Sequence, residues 1–384
     1  MSGIRTLSRR QFIKILYSFG LGTLASGYIT NLFHKKNHTE ALALDTIGYV
    51  HEALFYEKVD DNTVKCFLCP HECILPDGQR SFCRAREAHK AKLYSLVYEL
   101  VCSMHIDPIE KKPIYHMLPG SRSFSIATAG CNSRCKYCQN WQISQSPPEN
   151  TRNEILTVPR LIELARKNDC KSIAYTYSEP TIFYEYMLDA SKWARINDIK
   201  NVYVTGSYIN KEPLNLLCKH IDAVNADLKG FDDNYLRSTC GQQLKPVLDA
   251  IQIMYNEGVW VEITNLIVPT LNDDMNMIKD MCVWIRDTLS PDVPLHFSRF
   301  WPMYKLNNLY PTPIETLEKA LDIALSTGLN HVYLGNIPDH RANHTYCKKC
   351  KKIIIKRLGY LIAENHITNS RCAYCQEKIP GIWK

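Results

Sequence analysis

Little net charge remains in this chain once its first 43 residues are set aside. The whole carries a formal +7 over 384 residues, but residues 1–43 hold Arg5, Arg9, Arg10, Lys14, Lys35 and Lys36 against Glu40, a net +5, which leaves about +2 for the rest. So weak a balance gives no electrostatic case for nucleic acid as a partner. Isolated cysteines are scarce too. Of 16 cysteines, eleven fall in three tight clusters, and only Cys102, Cys170, Cys218, Cys240 and Cys282 stand alone. Clusters of Cys-x2-Cys type argue against a disulfide framework and for metal sites. The five single cysteines are expected to be small residues in or near the core. Long charge-free runs are few as well; the stretch from Ile15 to Phe33 has nineteen residues, nearly enough to cross a bilayer.

That stretch follows SRRQFIK and precedes Lys35 and Lys36. A paired arginine, Arg9-Arg10, before a moderately apolar run rich in Gly, Ser and Thr looks like a twin-arginine export signal, and Ala41-Leu42-Ala43 suits a peptidase. An uncleaved membrane anchor is the competing reading. The expected location is therefore membrane-associated or exported, with a cytoplasmic one as the alternative.

What is present in abundance is cysteine in metal-ligand spacing. The segment GCNSRCKYCQN places Cys131, Cys135 and Cys138 as C-x3-C-x2-C. Three thiolates on one short loop can hold three irons of a four-iron, four-sulfur cluster and leave the fourth open to a small molecule. A zinc loop completed by a distant residue is the alternative from spacing alone. The aromatic Tyr137 just before Cys138, with the loop directly after the strand-like run Phe124 to Thr128, resembles the radical S-adenosylmethionine (radical SAM) superfamily.

Two further sets flank this loop. Cys66, Cys69, Cys73 and Cys83 lie within eighteen residues around the turn Pro76-Asp77-Gly78, close enough to fold about one metal ion or cluster. Zinc and an auxiliary iron–sulfur cluster are both open here, since ligand identity does not separate them. Near the end, Cys347 and Cys350 pair with Cys372 and Cys375 in the manner of two zinc-ribbon knuckles, with a rubredoxin-like iron as the second reading.

Between the sets, short apolar runs alternate with amphipathic ones. Expected strands cover 124–128, 172–177, 201–204, 222–228, 259–266, 293–298 and 331–334, and helical patterns run over 158–167, 182–195, 244–256 and 275–287. Repeated strand–helix units imply an α/β fold with a parallel sheet, a full or partial (β/α) barrel, with small Cys-rich modules at both ends. The expected division is a leader at 1–43, a Cys-rich module at 44–118, the barrel at 119–340 and a zinc-ribbon-like module at 341–384. Active residues in such barrels stand at the C-terminal ends of strands.

The segment AYTYSEPTIFYEY is similar to a branch of the superfamily related to pyruvate formate-lyase activating enzymes. In the superfamily a Gly-Gly-Glu stretch at this place binds the methionine amino group. Tyr177 and Ser178 stand in place of the glycines, so only Glu179 carries the role over. A solvated Glu at a helix start is the competing reading. After the third strand, Thr205 and Gly206 can meet a ribose or carboxylate, or simply form a turn. Asn225, Asp227 and Lys229 alternate onto one face, and Asp-Leu-Lys resembles the activating-enzyme pattern; polar groups inside a barrel need a ligand or each other. The run Ile267 to Asp273 is similar to a family loop packed on the adenine. His296 has a substrate- or cofactor-side role by resemblance, with a hydrogen-bonded core histidine as the alternative.

From about residue 49 onward the chain resembles the radical SAM enzyme of the AmmeMemoRadiSam system. The resemblance implies a [4Fe-4S] cluster, S-adenosyl-L-methionine, a low-potential electron donor, and a 5′-deoxyadenosyl radical that takes hydrogen from a substrate it does not name. A protein substrate, including activation of a glycyl-radical enzyme, is one version. A reading from another class is a membrane-tethered iron–sulfur electron carrier, against which the barrel pattern and its polar residues argue. Export sits uneasily with a need for S-adenosylmethionine and reductant, both ordinarily cytoplasmic.

Overall fold

The computed structural model describes residues 51–384. The expected leader, with Arg9, Arg10 and Ala41-Leu42-Ala43, lies outside the described residues. Eight strands form the main sheet: Ser103–Pro108 (β1), Arg122–Ala127 (β2), Cys170–Tyr175 (β3), Lys200–Thr205 (β4), Ala223–Asp227 (β5), Trp260–Ile267 (β6), Leu295–Arg299 (β7) and Val332–Gly335 (β8). They lie in sequence order across the sheet. β2 to β8 are parallel, and β1 pairs antiparallel with β2. Among the described residues β1 and β8 do not pair with each other, so the barrel is partial.

The crossovers are helical: Val158–Lys167 (α1), Tyr184–Ile196 (α2), Lys211–Cys218 (α3), Leu244–Asn256 (α4), Met275–Trp284 (α5) and Ile314–Ser326 (α6). Each buries a stripe. α4 turns Val247, Ala250, Ile251 and Met254 inward, and α6 turns Leu317, Ala320, Leu321 and Ala324, the three-and-four spacing of an amphipathic helix. All seven expected strands are present within two residues of their expected ends. The periodicity did not reveal β1, whose Ser103-Met104-His105-Ile106 is polar and half-exposed on a sheet edge.

The barrel is filled at its N-terminal end by the β1–β2 connection. Ile109, Ile114 and Met117 pack on Ala174, Val202 and Ala223, with Ile382 of the chain's end among them. That end docks through an isolated parallel bridge between Met117 and Ile382: Ile382 N donates to His116 O (2.7 Å) and Leu118 N to Ile382 O (2.8 Å). Gly381 has φ +147°, and a Cβ there would lie 2.4 Å from His116 O, so only glycine fits. The final residues thus tie the last module to the barrel, in addition to capping its cysteines through Ile379 and Trp383. Arg357, on the strand Ile353–Leu358, is buried with its guanidinium 4.0 Å over the Tyr115 ring and donates to Tyr115 O at 2.9 Å.

At the other end, small antiparallel sheets built from residues 51–95 are tied to α2. Arg86 donates to both oxygens of Glu185 at 2.6 and 2.9 Å, and each side chain is 1% exposed. Among the described residues no helix is long and apolar enough to cross a membrane. Removing one partner from such a pair strands a buried charge at about 3–5 kcal/mol. Arg86→Ala is expected to lower the unfolding midpoint sharply in denaturant titration, whereas Arg86→Met with Glu185→Leu should recover most of the loss.

Candidate active site

A cavity of about 900 Å³ lies at the C-terminal ends of the strands, lined from β3 by Thr176 to Glu179, beyond β4 by Gly206, from β5 by Asp227 and Lys229, and from β7 by His296 and Ser298. All three loop cysteines and Tyr137 line it. The loop leaves β2 at Gly130, where φ is +98° and a Cβ would stand 2.5 Å from Cys83 O. Its backbone is then pinned from two sides: Cys131 N donates to Cys83 O (3.2 Å), while Arg134 N and Lys136 N donate to Cys240 O (2.7 Å) and Thr239 O (3.0 Å). Asn132 reaches Tyr208 O at 2.7 Å.

Cys131 and Cys135 are buried and Cys138 half-buried. Burial, with the nearby Glu179 carboxylate, pushes the Cys131 thiol well up. The contact with Cys240 and burial do the same to Cys135, and burial raises Cys138. Three thiolates converging in so dry a place need a cationic centre among them. Ser133 N donates to Cys131 Sγ at 3.2 Å and Ser144 Oγ lies 3.2 Å from Cys138 Sγ, the hydrogen bonds to sulfur that tune an iron–sulfur centre.

Glu179 is 4% exposed, so it is no solvated helix-start residue, although it does cap the turn Pro180–Phe183. Its Oε1 accepts from Thr181 N (3.1 Å), Thr181 Oγ1 (2.6 Å) and Thr205 Oγ1 (2.7 Å). Among the described residues its Oε2 accepts only from Gly206 N (2.7 Å), which leaves lone-pair capacity on the oxygen for a further donor. Thr205, expected either to meet a ribose or carboxylate or to form a turn, turns its hydroxyl to the Glu179 carboxylate. Gly206 is required for close approach: a Cβ would stand 2.9 Å from Gln242 Nε2 and 3.3 Å from Glu179 Oε2. Tyr177, where the family pattern has glycine, keeps φ +64°, a strained conformation for a bulky residue.

Lys229 Nζ meets Asp227 Oδ2 at 2.8 Å. Burial works against the Lys229 ammonium, but Asp227 and Cys135 beside it hold its pKa well above the ordinary value. Asn225 sits lower in the barrel, donating to Pro113 O (2.8 Å) and Thr264 Oγ1 (2.9 Å). His296 is buried, its Nε2 2.7 Å from Glu262 Oε2, and its ring also faces the cavity, so both expected roles are compatible with its position.

Several residues in or beside the cavity escaped the sequence reading. Lys112 is buried with Nζ 2.5 Å from Asp107 Oδ2 and 4.3 Å from the Tyr177 ring; burial lowers its pKa to about 8. Gly359 and Tyr360, at a hairpin tip of the last module, also line the cavity. Cys240 is buried as expected of a lone cysteine, yet its Sγ stands 3.2 Å from Tyr137 Oη in the π-turn Leu236–Cys240 beside the loop. No spacing rule links residues so far apart in the chain.

In the last module, Cys347, Cys350, Cys372 and Cys375 bring their sulfurs within 4.8 Å of one another. Two pairs stand at 3.6 and 3.8 Å, the edge of a tetrahedron with metal–sulfur bonds of ~2.3 Å, which is ~3.8 Å. This set can hold one metal ion.

A family model described as the radical SAM superfamily matches residues 125–284. An uncharacterised protein of Methanocaldococcus jannaschii is 46% identical over 330 residues, which are 85% of this chain and 98% of that protein. The chain belongs to the radical SAM superfamily. Within it, the pyruvate formate-lyase-activating enzyme of Clostridium pasteurianum is similar at 28% identity over 52% of this chain and 87% of its own. A putative glycyl-radical enzyme activating enzyme of M. jannaschii is similar at 27% identity over 61% of this chain and 87% of its own. This radical SAM chain is thus a relative of the activating enzymes. Membership implies a [4Fe-4S] cluster and S-adenosylmethionine, and the buried thiols with their hydrogen-bonded sulfurs fit such a cluster.

Gly206→Ala is expected to push Glu179 off its amide donor. S-adenosylmethionine binding, followed by calorimetry on iron-loaded protein, should weaken by about tenfold or more, the loss of one charge-assisted hydrogen bond, with iron content unchanged.

Proposed function

We propose that this enzyme reductively cleaves S-adenosylmethionine at a [4Fe-4S] cluster held by Cys131, Cys135 and Cys138 and uses the product to take hydrogen from a substrate. The observation that carries this is the convergence of the three thiols and the Glu179 carboxylate on one cavity at the strand ends. The bound cluster and S-adenosylmethionine supply a 5′-deoxyadenosyl radical. The chain's own part is binding and orientation. Glu179 Oε2 accepts a hydrogen bond from the methionine ammonium, with Thr181, Thr205 and Gly206 holding the carboxylate in place. Asp227 and Lys229 offer opposite charges on the same wall for polar groups of ligand or substrate, Tyr137 anchors the loop against Cys240, and His296 faces the substrate end with Glu262 orienting its ring. An electron carrier of the kind weighed from the sequence would have no use for this cavity.

The substrate favoured by this reading is a protein, and activation of a glycyl-radical enzyme is its most definite version, supported by the two relatives named as activating enzymes. The reductant is a low-potential one-electron donor. At the last module we propose zinc, since the sulfur spacing suits one tetrahedral ion that contributes folding energy. For the leader we retain a twin-arginine signal, with membrane contact through residues 1–43.

Reduced, oxygen-free protein should convert S-adenosylmethionine to 5′-deoxyadenosine and methionine, and Cys135→Ala should not. Equal turnover by the two would remove the reading. Glu179→Gln should raise the S-adenosylmethionine requirement by about tenfold or more, as for loss of a charge-assisted contact. Cys372→Ser should shed one zinc per chain in metal analysis while leaving iron in place. Replacing Arg9 and Arg10 by lysine should stop export of a fused folded reporter; an unchanged distribution would refute the signal.

A further inference from the structure

The first cysteine set stands against the back of the cluster loop, away from the substrate cavity. Cys66 and Cys83 are buried, and Cys69 and Cys73 half-buried. With Leu68, His71, Phe82 and Arg86 they surround a small enclosed space of about 10 Å³. The two sites share backbone. Cys83 O accepts from Cys131 N at 3.2 Å, so a ligand of one site is hydrogen-bonded directly to a ligand of the other. His71 Nε2 lies 2.8 Å from Asn132 O in the loop. The Arg134 guanidinium of the loop stacks 3.8 Å over Phe82. Gly130 has no room for a side chain against Cys83 O, which keeps the two chains in contact.

The sulfurs here also carry polar partners. Ser81 Oγ stands 3.0 Å from Cys83 Sγ, Phe82 N donates to Cys73 Sγ at 3.5 Å, and Arg86 Nη1 approaches Cys66 Sγ at 4.0 Å. Among the described residues only the last module draws three or more ligand atoms within 4.8 Å. No three of Cys66, Cys69, Cys73 and Cys83 lie mutually within 4.8 Å, and neither do the three loop cysteines, whereas a single tetrahedral ion draws its sulfurs to ~3.8 Å of one another.

We propose that Cys66, Cys69, Cys73 and Cys83 hold a second iron–sulfur cluster that relays single electrons from a low-potential donor protein to the cluster on the Cys131–Cys138 loop. Electrons enter on the side of half-buried Cys73, beside exposed Ile74 and Phe82, and leave through Cys83 to Cys131. In each transfer the donor is oxidised by one electron, the second cluster is reduced and then reoxidised, and the loop cluster is reduced by one; no bond forms or breaks. The proposal rests on the iron–sulfur reading of the loop. A second centre in this position lets the donor act without entering the cavity that must exclude water from the radical.

The test uses the full chain, reconstituted without oxygen. A Cys131→Ala, Cys135→Ala, Cys138→Ala variant should keep about half the wild-type iron, with the Mössbauer signature of an iron–sulfur cluster; only zinc, or no iron, at the remaining sites would overturn the proposal. Dithionite-reduced wild type should show an electron paramagnetic resonance spectrum split by interaction between two reduced clusters. A spectrum equal to the sum of the single-site variants would overturn it as well. On photoreduction by deazaflavin and rapid freezing, the second cluster should be reduced first and the loop cluster later. In Cys66→Ala, Cys73→Ala, loop-cluster reduction should slow at least tenfold, while S-adenosylmethionine still perturbs its spectrum. Unchanged kinetics would remove the relay. Should that variant not fold, the first two measurements decide without it. A loop that binds no iron and ignores S-adenosylmethionine would instead sink the proposed function, and iron in the variant lacking the three loop cysteines would still report the second cluster.

Discussion

Everything in this structure follows from the need to keep three thiolates together in a dry place on a loop eight residues long. Left to itself, such a loop would open, because burial disfavours each thiolate and the three repel. It is held from two independent directions. The Cys83 carbonyl takes its first amide, and the π-turn Leu236–Cys240 takes two more. A π-turn is a rare feature often found at functional sites, and here it supplies carbonyls at the depth the loop requires.

The same economy shapes the binding side of the cavity. Glu179 is oriented by four donors from Thr181, Thr205 and Gly206, and Gln242 joins Ser133 of the loop (3.0 Å) to the Gly206 carbonyl (3.2 Å). Loop, carboxylate and strand end therefore form one hydrogen-bonded unit. A shift of the loop is transmitted to the carboxylate through Gln242, which is the kind of second layer that fixes a catalytic geometry. The terminal modules take part as well. The first presses on the loop from behind, and the last reaches the cavity with Gly359 and Tyr360 while its Arg357 and Ile382 brace the barrel floor.

The parallel strands and the α1 and α4 boundaries were readable because buried strands and amphipathic helices repeat with periods that a sequence displays directly. β1 was not, since an edge strand that is half-exposed has no apolar signature to separate it from a loop. Among cavity residues, the cysteines, Glu179, Asp227 and Lys229 could be singled out from motifs within a few residues of one another. Lys112 and Tyr360 could not, because they reach the cavity from the strand connection and the last module, and neither could Cys240, which meets Tyr137 from a distant turn. For Thr205 the position at a strand end was legible, whereas the direction of its hydroxyl, toward Glu179, depends on where that carboxylate lies.

The sequence by itself determined the chemistry on offer, since thiol spacing along eight residues of chain dictates what a loop can ligate wherever it is placed. It also determined the alternation of strand and helix, because that is a local pattern. Only the tertiary structure decided which cysteine set lies behind the loop and which one caps the far end. It alone decided that Glu179 is buried rather than solvated, and that Cys240 meets Tyr137. Those outcomes depend on contacts between residues tens to hundreds of positions apart, which packing brings together and no local spacing encodes.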